Sequence, residues 1–294
     1  MMKRLVLVYN PVSGHATFKN KLDWIIEAFQ KRGFMLLIYR TQRDNTDAFV
    51  NFVREAQAEG ILVAGGDGTL HEVVNLLLKS GIHLPVAIIG SGTSNDFASY
   101  LRINEDLEAY FDCIAAGKTR WVDLGRVGQE YFVNVASAGM MTAIAHEVDA
   151  RLKNAMGKMA YYLKGLGEIP KFRAMPLTIV ADGVEYGMEA FLFVITNSPV
   201  VASMKNVSDE VRVDDGKLDF LAVKKCSVAE LMKITAELIA GKPVTTKKGV
   251  FHIQAEVFTV SAAEEVFSDL DGELGPRLPL HVETVAKALE VYCI

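Results

Sequence analysis

Cysteine is scarce in this chain, with three in 294 residues, at Cys113, Cys226 and Cys293. They are odd in number, far apart and without a CxxC pair. That argues against a disulfide framework or a thiolate metal site and favours a reducing compartment. The six histidines are scattered and form no HExxH pattern, which argues against catalytic zinc. A GxxxxGK[ST] loop and a GxGxxG fingerprint are both missing, so neither a Walker loop nor a dinucleotide fold of that type is indicated. Ser137, in Ala136-Ser137-Ala138-Gly139, does not sit in a GxSxG elbow and reads as a small-residue packing turn. Long hydrophobic runs are also absent. The opening run Leu5–Tyr9, behind Lys3 and Arg4, is too short for a signal peptide or a membrane span, and no later run reaches membrane-spanning length. Nor is there an excess of basic residues. Lys and Arg number 31 against 36 Asp and Glu, a formal charge of -5, which argues against a nucleic-acid partner and leaves a small anionic ligand open. The chain therefore reads as cytoplasmic, with a membrane-dissolved substrate still open.

Half of the residues are hydrophobic (50%), enough to bury one large core or two smaller ones. Leu5–Tyr9, Met35–Tyr39, Ile61–Ala64 and Val86–Ile89 are short apolar runs suited to buried parallel strands. Between them, Leu22, Ile25, Ile26 and Phe29 mark a helix ended by Gly33, and Ala48, Phe49, Phe52, Val53 and Ala56 mark a second, stopped near Gly60. Leu70, Val73, Val74 and Leu77 mark a third, with Thr69 and Glu72 as its capping box and Gly81 at its end. Strand-helix alternation with short connections predicts a layered α/β domain with a parallel sheet. From about residue 120 the rhythm changes. Tyr131–Ala138, Leu177–Val180, Ala190–Thr196, Leu218–Val223, Val250–Ile253 and Val257–Ser261 read as strands, with helices only near Thr142–Leu163 and Val228–Ile239. The expected division is an α/β domain over residues 1–120, completed by a returning strand within 280–294, and a β-rich domain over 121–279, with the chemistry at the cleft between them.

Four polar loops follow the four N-terminal strands and fall at the carboxyl edge of the sheet, where ligands bind in such folds. The most informative is Gly65-Gly66-Asp67-Gly68-Thr69. A strand, a glycine turn and a helix start present free N–H groups to an anion. Gly65, Gly66 and Gly68 allow close backbone approach, Thr69 offers a hydroxyl, and Asp67 can hold magnesium or its water shell. A carboxylate in a phosphate cradle needs an intervening cation, which points to a metal-nucleotide site and a kinase. Read alone, the same pentapeptide is also a tight turn with Asp67 as a local cap. Asn10-Pro11-Val12-Ser13-Gly14 is a second such turn, in which Asn10, Ser13 and Gly14 can contact phosphate or ribose. A third is Gly90-Ser91-Gly92-Thr93-Ser94-Asn95-Asp96. Here Gly92 and Thr93 suit nucleotide contacts, Asn95 suits a phosphate or the acceptor, and Asp96 suits metal or the acceptor hydroxyl. Capping explains Asn95 or Asp96 alone, but not three such loops after buried strands.

Two acidic clusters come later. Asp269-Leu270-Asp271-Gly272-Glu273 places Asp271 and Glu273 two apart, on one face of a regular strand unless Gly272 makes a turn. Glu273 is the candidate general base for an acceptor hydroxyl, acting through or with Asp271, and a solvated turn is the plain alternative. The segment Asp209–Asp219 gathers carboxylates around Gly216, and Asp215 is the candidate for a structural magnesium site. The basic and aromatic stretch 151–173 suits either an anionic membrane or an ordinary amphipathic helix.

This ordered motif set resembles the diacylglycerol kinase catalytic family, in its bacterial soluble branch, related to NAD kinase and phosphofructokinase. The likeness spans nearly the whole chain through Asn10–Gly14, Gly65–Thr69, Gly92–Ala98, Val213–Asp219 and Asp271–Glu273. It implies a three-layer α/β nucleotide-binding domain with a parallel sheet, a C-terminal β-sandwich, and ATP with Mg²⁺ as cofactors. It implies Asp67 at the magnesium and phosphate site, Asp96 in a charged network beside it, and Asp271 with Glu273 in the catalytic group. It implies Asp215 and the Leu218 carbonyl at a structural magnesium. Two places depart from the usual pattern. Val201-Ala202-Ser203-Met204 is commonly glycine-rich, and Thr41–Asn45, whose Thr41 is a nucleotide-edge candidate, lacks a usual glycine. The implied reaction is phosphoryl transfer to a lipid hydroxyl, foremost diacylglycerol, at the inner membrane face, with no nucleic acid and no transmembrane segment. Homodimerisation is left open. NAD, phosphatidylglycerol or a sphingoid base as acceptor, and a non-catalytic ATP-binding regulator, are the competing readings.

Overall fold

In the N-terminal part, the alternating apolar and amphipathic segments become parallel strands joined by crossing helices. The computed structural model describes residues 2–13, 18–41, 46–139 and 173–294. Its two compact units are Met1–Val122 with Lys287–Ile294, and Asp123–Ala286. The expected helix at Thr142–Leu163, the basic stretch 151–173 apart from Arg173, Gly14 and residues 42–45 lie outside the described residues.

The first unit runs β1 (Lys3–Tyr9), α1 (Leu22–Lys31), β2 (Phe34–Arg40), α2 (Thr46–Ala56), β3 (Gly60–Gly65), α3 (Asp67–Lys79), β4 (Val86–Gly90), α4 (Asp96–Tyr100) and α5 (Leu107–Ala115). The sheet order is β2-β1-β3-β4, and every pair is parallel. The chain steps outward from β1 to β2, then back past β1 to β3 and on to β4. Right-handed crossovers therefore put α1 on one face and α2 with α3 on the other. Phe29 of α1 meets Phe111 of α5 at 4.7 Å between ring centroids. Arg32 joins Glu108 and Asp112 at 2.7 and 2.8 Å, so α5 shares the layer of α1. Covered on both faces, β3 is buried along its whole length. The reversal of strand order lies between β1 and β3, the switch point at whose carboxyl ends such sheets bind ligands.

Two helix limits differ from the sequence reading. The second helix stops at Ala56, where Gln57 takes a left-handed backbone with φ 48. Gly60 instead opens β3, where a Cβ would lie 3.0 Å from Leu5 Cδ2 and 3.2 Å from the Pro85 carbonyl. The Thr69–Glu72 capping box does not form. The helix starts earlier, with Gly66 as N-cap and no capping side chain, and Thr69 is buried within its first turn.

The chain passes into the second unit within β5 (Thr119–Val127) and leaves it within β15 (Leu280–Tyr292). Between these lie β6 (Glu130–Phe132), β7 (Val135–Gly139), β8 (Met175–Ala181), β9 (Val184–Thr196), β10 (Leu218–Lys224) and α6 (Val228–Ile239). They are followed by β11 (Val250–Ala255), β12 (Val257–Ala262), β13 (Phe267–Leu270) and β14 (Glu273–Arg277). The long β9 joins two layers. Its first half pairs with β8, which continues to β12 and β15. Its second half lies between β7 and β10, and these lead to β13 with β14 and to β11. A strand that changes partners midway makes the corner of a sandwich. Between the layers, Phe220 stacks with Phe193 at 5.4 Å and meets Phe258, tilted, at 5.9 Å. The segment Tyr131–Ala138, read as one strand, breaks at Val133-Asn134 because a carboxylate captures their N–H groups. The end of β15 pairs in parallel with β4 at Val291 and Val86.

Phe220→Ala would leave a cavity beside the Phe193, Phe251 and Phe258 rings. The expected loss is about 3–5 kcal/mol, read as a lower urea midpoint, and an unchanged midpoint would contradict this core assignment.

Candidate functional site

The carboxyl ends of β1, β3 and β4 bring three polar loops together in the first unit. Gly66 and Gly92 are in backbone contact: a Cβ on Gly92 would lie 2.4 Å from Gly66 Cα. A Cβ on Gly66 would stand 3.5 Å from Ser13 Oγ, so the Asn10 loop reaches the same point. Gly65 is held to glycine by Thr69, whose side chain would be 2.4 Å from its Cβ. No side chain larger than hydrogen fits at Gly65 or Gly92.

Hydrogen bonds fix this meeting. The Asn10 amide donates to Thr69 Oγ1 at 3.1 Å, while Asn10 Oδ1 accepts from the Val12 N–H at 3.0 Å. The Ser91 N–H donates to the Gly65 carbonyl at 2.8 Å. The Asp67 carboxylate accepts the Asp96 N–H at 2.8 Å, which ties the start of α3 to the start of α4. Asp96 itself is buried. The Thr41 N–H donates to the Tyr9 carbonyl at 3.0 Å and keeps Thr41 at the same sheet edge. Gly68 lies in the first turn of α3, and Thr93 is half-buried in the third loop. Asn95 braces its own loop. Its amide oxygen accepts from the Gly92 N–H at 2.7 Å and its amide nitrogen donates to the Gly92 carbonyl at 2.8 Å. Both ends of the amide thus shape the loop.

These loops suit a phosphate. The first turn of α3 has no side-chain cap, so its N–H groups face an anion position at the positive end of the helix dipole. A hollow lined by Gly65, Gly66, Asp67, Gly90 and Asn95 lies there. The Ser91 hydroxyl is buried with no hydrogen-bond partner among the described residues, a condition that a ligand or water normally relieves.

In the second unit the late acidic cluster forms a tight hairpin. Asp271 and Gly272 have φ 53 and 94, and Leu270 pairs with Glu273 across the turn. This is the doubly left-handed Asp-Gly turn favoured between twisted strands. Asp271 and Glu273 therefore do not share a strand face. The Asp271 carboxylate is buried and accepts the N–H groups of Val133, Asn134 and Val135 at 2.7, 2.8 and 2.9 Å. Glu273 is exposed at the start of β14. The turn separates a buried anchor from an accessible carboxylate.

Asp215 is exposed, and its carboxylate accepts the Lys217 N–H at 3.0 Å. Partial burial, then the nearby Asp219 and Asp123 carboxylates, push its pKa up. That crowding of negative charge suits a cation, which Asp215 and the Leu218 carbonyl would meet together with water. Asp219 is already engaged, with His252 Nε2 at 2.6 Å and the Gln254 amide at 3.2 Å. Among the described residues no group of three His, Cys, Asp or Glu forms a closed metal cage. Mg²⁺ ordinarily binds one or two carboxylates and keeps waters and substrate phosphates, so an open site is compatible with it.

The sequence reading missed a buried polar network behind the Asp271 turn. Thr196, Asn197 and Ser198 are fully buried at the end of β9. The Asn197 amide donates to the carbonyls of Asp123 and Val133 at 2.6 and 2.9 Å. Asn134 donates to the Val200 carbonyl at 2.8 Å, and the Asp123 carboxylate accepts the Gly216 N–H at 2.6 Å. The polar Asn-Ser-Pro ending of a buried strand was the available signal.

Residues 4–127 match the family model described as diacylglycerol kinase catalytic domain, and residues 134–293 match the YegS C-terminal NAD kinase beta sandwich-like domain. A protein of Staphylococcus carnosus named diacylglycerol kinase is 32% identical over 294 residues, covering 99% of this chain and 95% of its own. Its namesake from Bacillus subtilis is 32% identical over 284 residues, covering 95% and 92%. A crystal structure described as a diacylglycerol kinase from Bacillus anthracis matches with a TM-score of 0.81 at 25% identity, over 99% of this chain and 97% of the other.

Asp271→Asn would turn an amide NH₂ toward backbone donors and should cost about 1.5–3 kcal/mol. Glu273→Gln should leave the unfolding midpoint unchanged. Equal denaturation midpoints for both variants would contradict the division between anchor and accessible carboxylate.

Proposed function

The chain belongs to the diacylglycerol kinase catalytic-domain family and is a lipid kinase, and from that premise we propose that ATP is its donor and diacylglycerol its acceptor. The observation that carries the donor assignment is the contact of the Asn10, Gly65–Thr69 and Gly92 loops over the uncapped start of α3. Backbone N–H groups there hold phosphate oxygens as charge develops on the transferred group. Gly14, Thr41, Thr93 and Asn95 complete the nucleotide-binding set in this reading.

In the reaction the acceptor oxygen forms a bond to the γ-phosphorus. The bond from that phosphorus to the β,γ-bridging oxygen breaks, and ADP leaves with the electron pair. Glu273 takes the hydroxyl proton, a role open to an exposed carboxylate that makes no hydrogen bond or ion pair among the described residues. Asp67 and Asp96 are the carboxylates that would hold Mg²⁺ at the phosphates, and Asp215 with the Leu218 carbonyl would hold a second, structural ion. When bound, Mg²⁺ supplies charge neutralisation at the phosphate oxygens. Asp271, bonded to three N–H groups, holds the turn that carries Glu273 in this scheme.

The acceptor partitions into bilayers, so the reaction is assigned to the membrane surface, on the side where cytoplasmic ATP is present. Among the described residues no helix is long and apolar enough to cross a membrane.

The test is a magnesium-dependent transfer of labelled phosphate from ATP to diacylglycerol in mixed micelles, with NAD, phosphatidylglycerol and sphingoid bases in parallel. Phosphatidic acid is the expected product, and labelling of NAD alone would overturn the assignment. Glu273→Gln should lower kcat about 10²- to 10⁴-fold with the substrate KM nearly unchanged. Full activity in that variant would remove Glu273 from the base role.

A further inference from the structure

Away from the loops and carboxylates above, α6 exposes an apolar stripe. The helix buries Leu231 and Ile234 against Phe191, Val223, Val244 and Val250. That inner face is satisfied. On the outer side Val228, Met232 and Ile239 are 54%, 53% and 53% exposed, with Ala229, Ala236 and Ala240 exposed beside them. Positions 228, 232, 236 and 239 follow helical spacing, so these residues line one side of the helix. Scattered apolar residues on a surface need no explanation, but a continuous stripe on one helix does.

The charge around the stripe is opposite to that of the chain. Residues 224–248 contain six lysines, at 224, 225, 233, 242, 247 and 248, against two acids, Glu230 and Glu237. The whole chain carries -5. Both acids are engaged: Glu230 bonds to the Ser227 N–H in a capping box, and Glu237 pairs with Lys247 at 2.7 Å. Lys225 pairs with Glu189 at 3.0 Å. Lys233, Lys242 and Lys248 are exposed, Lys233 on the helix, Lys242 just past its C-terminal end and Lys248 near Glu230 in its first turn.

We propose that the outer face of α6 docks on an anionic bilayer, with Val228, Met232 and Ile239 entering the headgroup boundary and Lys233, Lys242 and Lys248 meeting acidic lipids. The occupant follows from the charge. A cationic rim around an apolar stripe complements a negatively charged lipid surface. A second copy of the chain would bring the same lysines toward one another. The helix has 12 residues, well below the ~20 needed to span a membrane, so it lies in the interface plane. This reading rests on the lipid acceptor proposed above, because such a kinase must meet a bilayer-dissolved substrate.

The test is co-sedimentation of the full-length chain with vesicles of pure phosphatidylcholine and with vesicles that also contain phosphatidylglycerol. Binding to the anionic vesicles that weakens with salt is the expected result. Lys233→Gln, Lys242→Gln and Lys248→Gln combined should lower that partition on the order of a hundredfold. Val228→Ser, Met232→Ser and Ile239→Ser combined should lower it at both salt concentrations. Thermal unfolding checks that each variant is folded, and the lysine variant alone is sufficient if the apolar one is not. Turnover of a short-chain, water-soluble diacylglycerol should stay at the wild-type rate in the lysine variant. Vesicle binding that responds in this way supports the docking face even if no lipid is phosphorylated, which separates it from the reaction proposed above. Wild-type partition in both variants would overturn the proposal. So would a stable dimer in sedimentation that the serine variant breaks, which would assign the stripe to a second copy.

Discussion

The close approach of two backbones, Gly66 after β3 and Gly92 after β4, is the constraint on which the three-loop region depends. Neighbouring parallel strands lie about 4.7–4.9 Å apart, and their following loops normally diverge as side chains fill the gap. Here no side chain stands between them, since a Cβ on Gly92 would lie 2.4 Å from Gly66 Cα. The loops stay together through the Asp67 bond to the Asp96 N–H and the Ser91 bond to the Gly65 carbonyl. The uncapped first turn of α3 is left available for an anion. The same contact explains why Asp67 belongs there. Its carboxylate joins two helix starts, and near a polyphosphate a divalent cation would relieve its charge.

The second unit uses the opposite arrangement, a carboxylate given entirely to the fold. Three backbone N–H groups converge on Asp271, which breaks the chain between β6 and β7 and anchors the hairpin turn. Hydrogen bonds to an ionised acceptor are among the stronger ones in proteins. Removing one partner would strand several buried donors. Glu273 sits two residues along and carries none of that burden. One short turn thus separates a buried, bonded carboxylate from an exposed one.

Much of this was legible in the sequence. Parallel strands followed from short apolar runs with helical stretches between them, and the three loops from glycine and hydroxyl residues directly after those runs. The differences arose where tertiary contacts override local preference. Thr69 looked like a helix cap, yet Asn10 from another loop donates to its hydroxyl and the helix starts at Asp67. Gly60 looked like a helix stop, yet β3 packing requires it. Asn95, read as a contact for a phosphate or the acceptor, also closes its own loop through both ends of its amide. The buried Thr196-Asn197-Ser198 network had no periodic signature, because its partners are carbonyl groups distant in sequence. Asp271 and Glu273 were found as a pair, but their separation became visible only from the left-handed turn between them.

The most direct measurement of the central claim is ATP affinity by calorimetry in the wild-type chain and in Gly92→Ala, with the fold monitored by near-ultraviolet circular dichroism. An added methyl group must force the two loops apart. The account predicts at least about tenfold weaker ATP binding, equivalent to about 1.4 kcal/mol, in a protein that remains folded. Unchanged ATP affinity in a folded Gly92→Ala chain would show that the Gly66–Gly92 contact does not form the phosphate site.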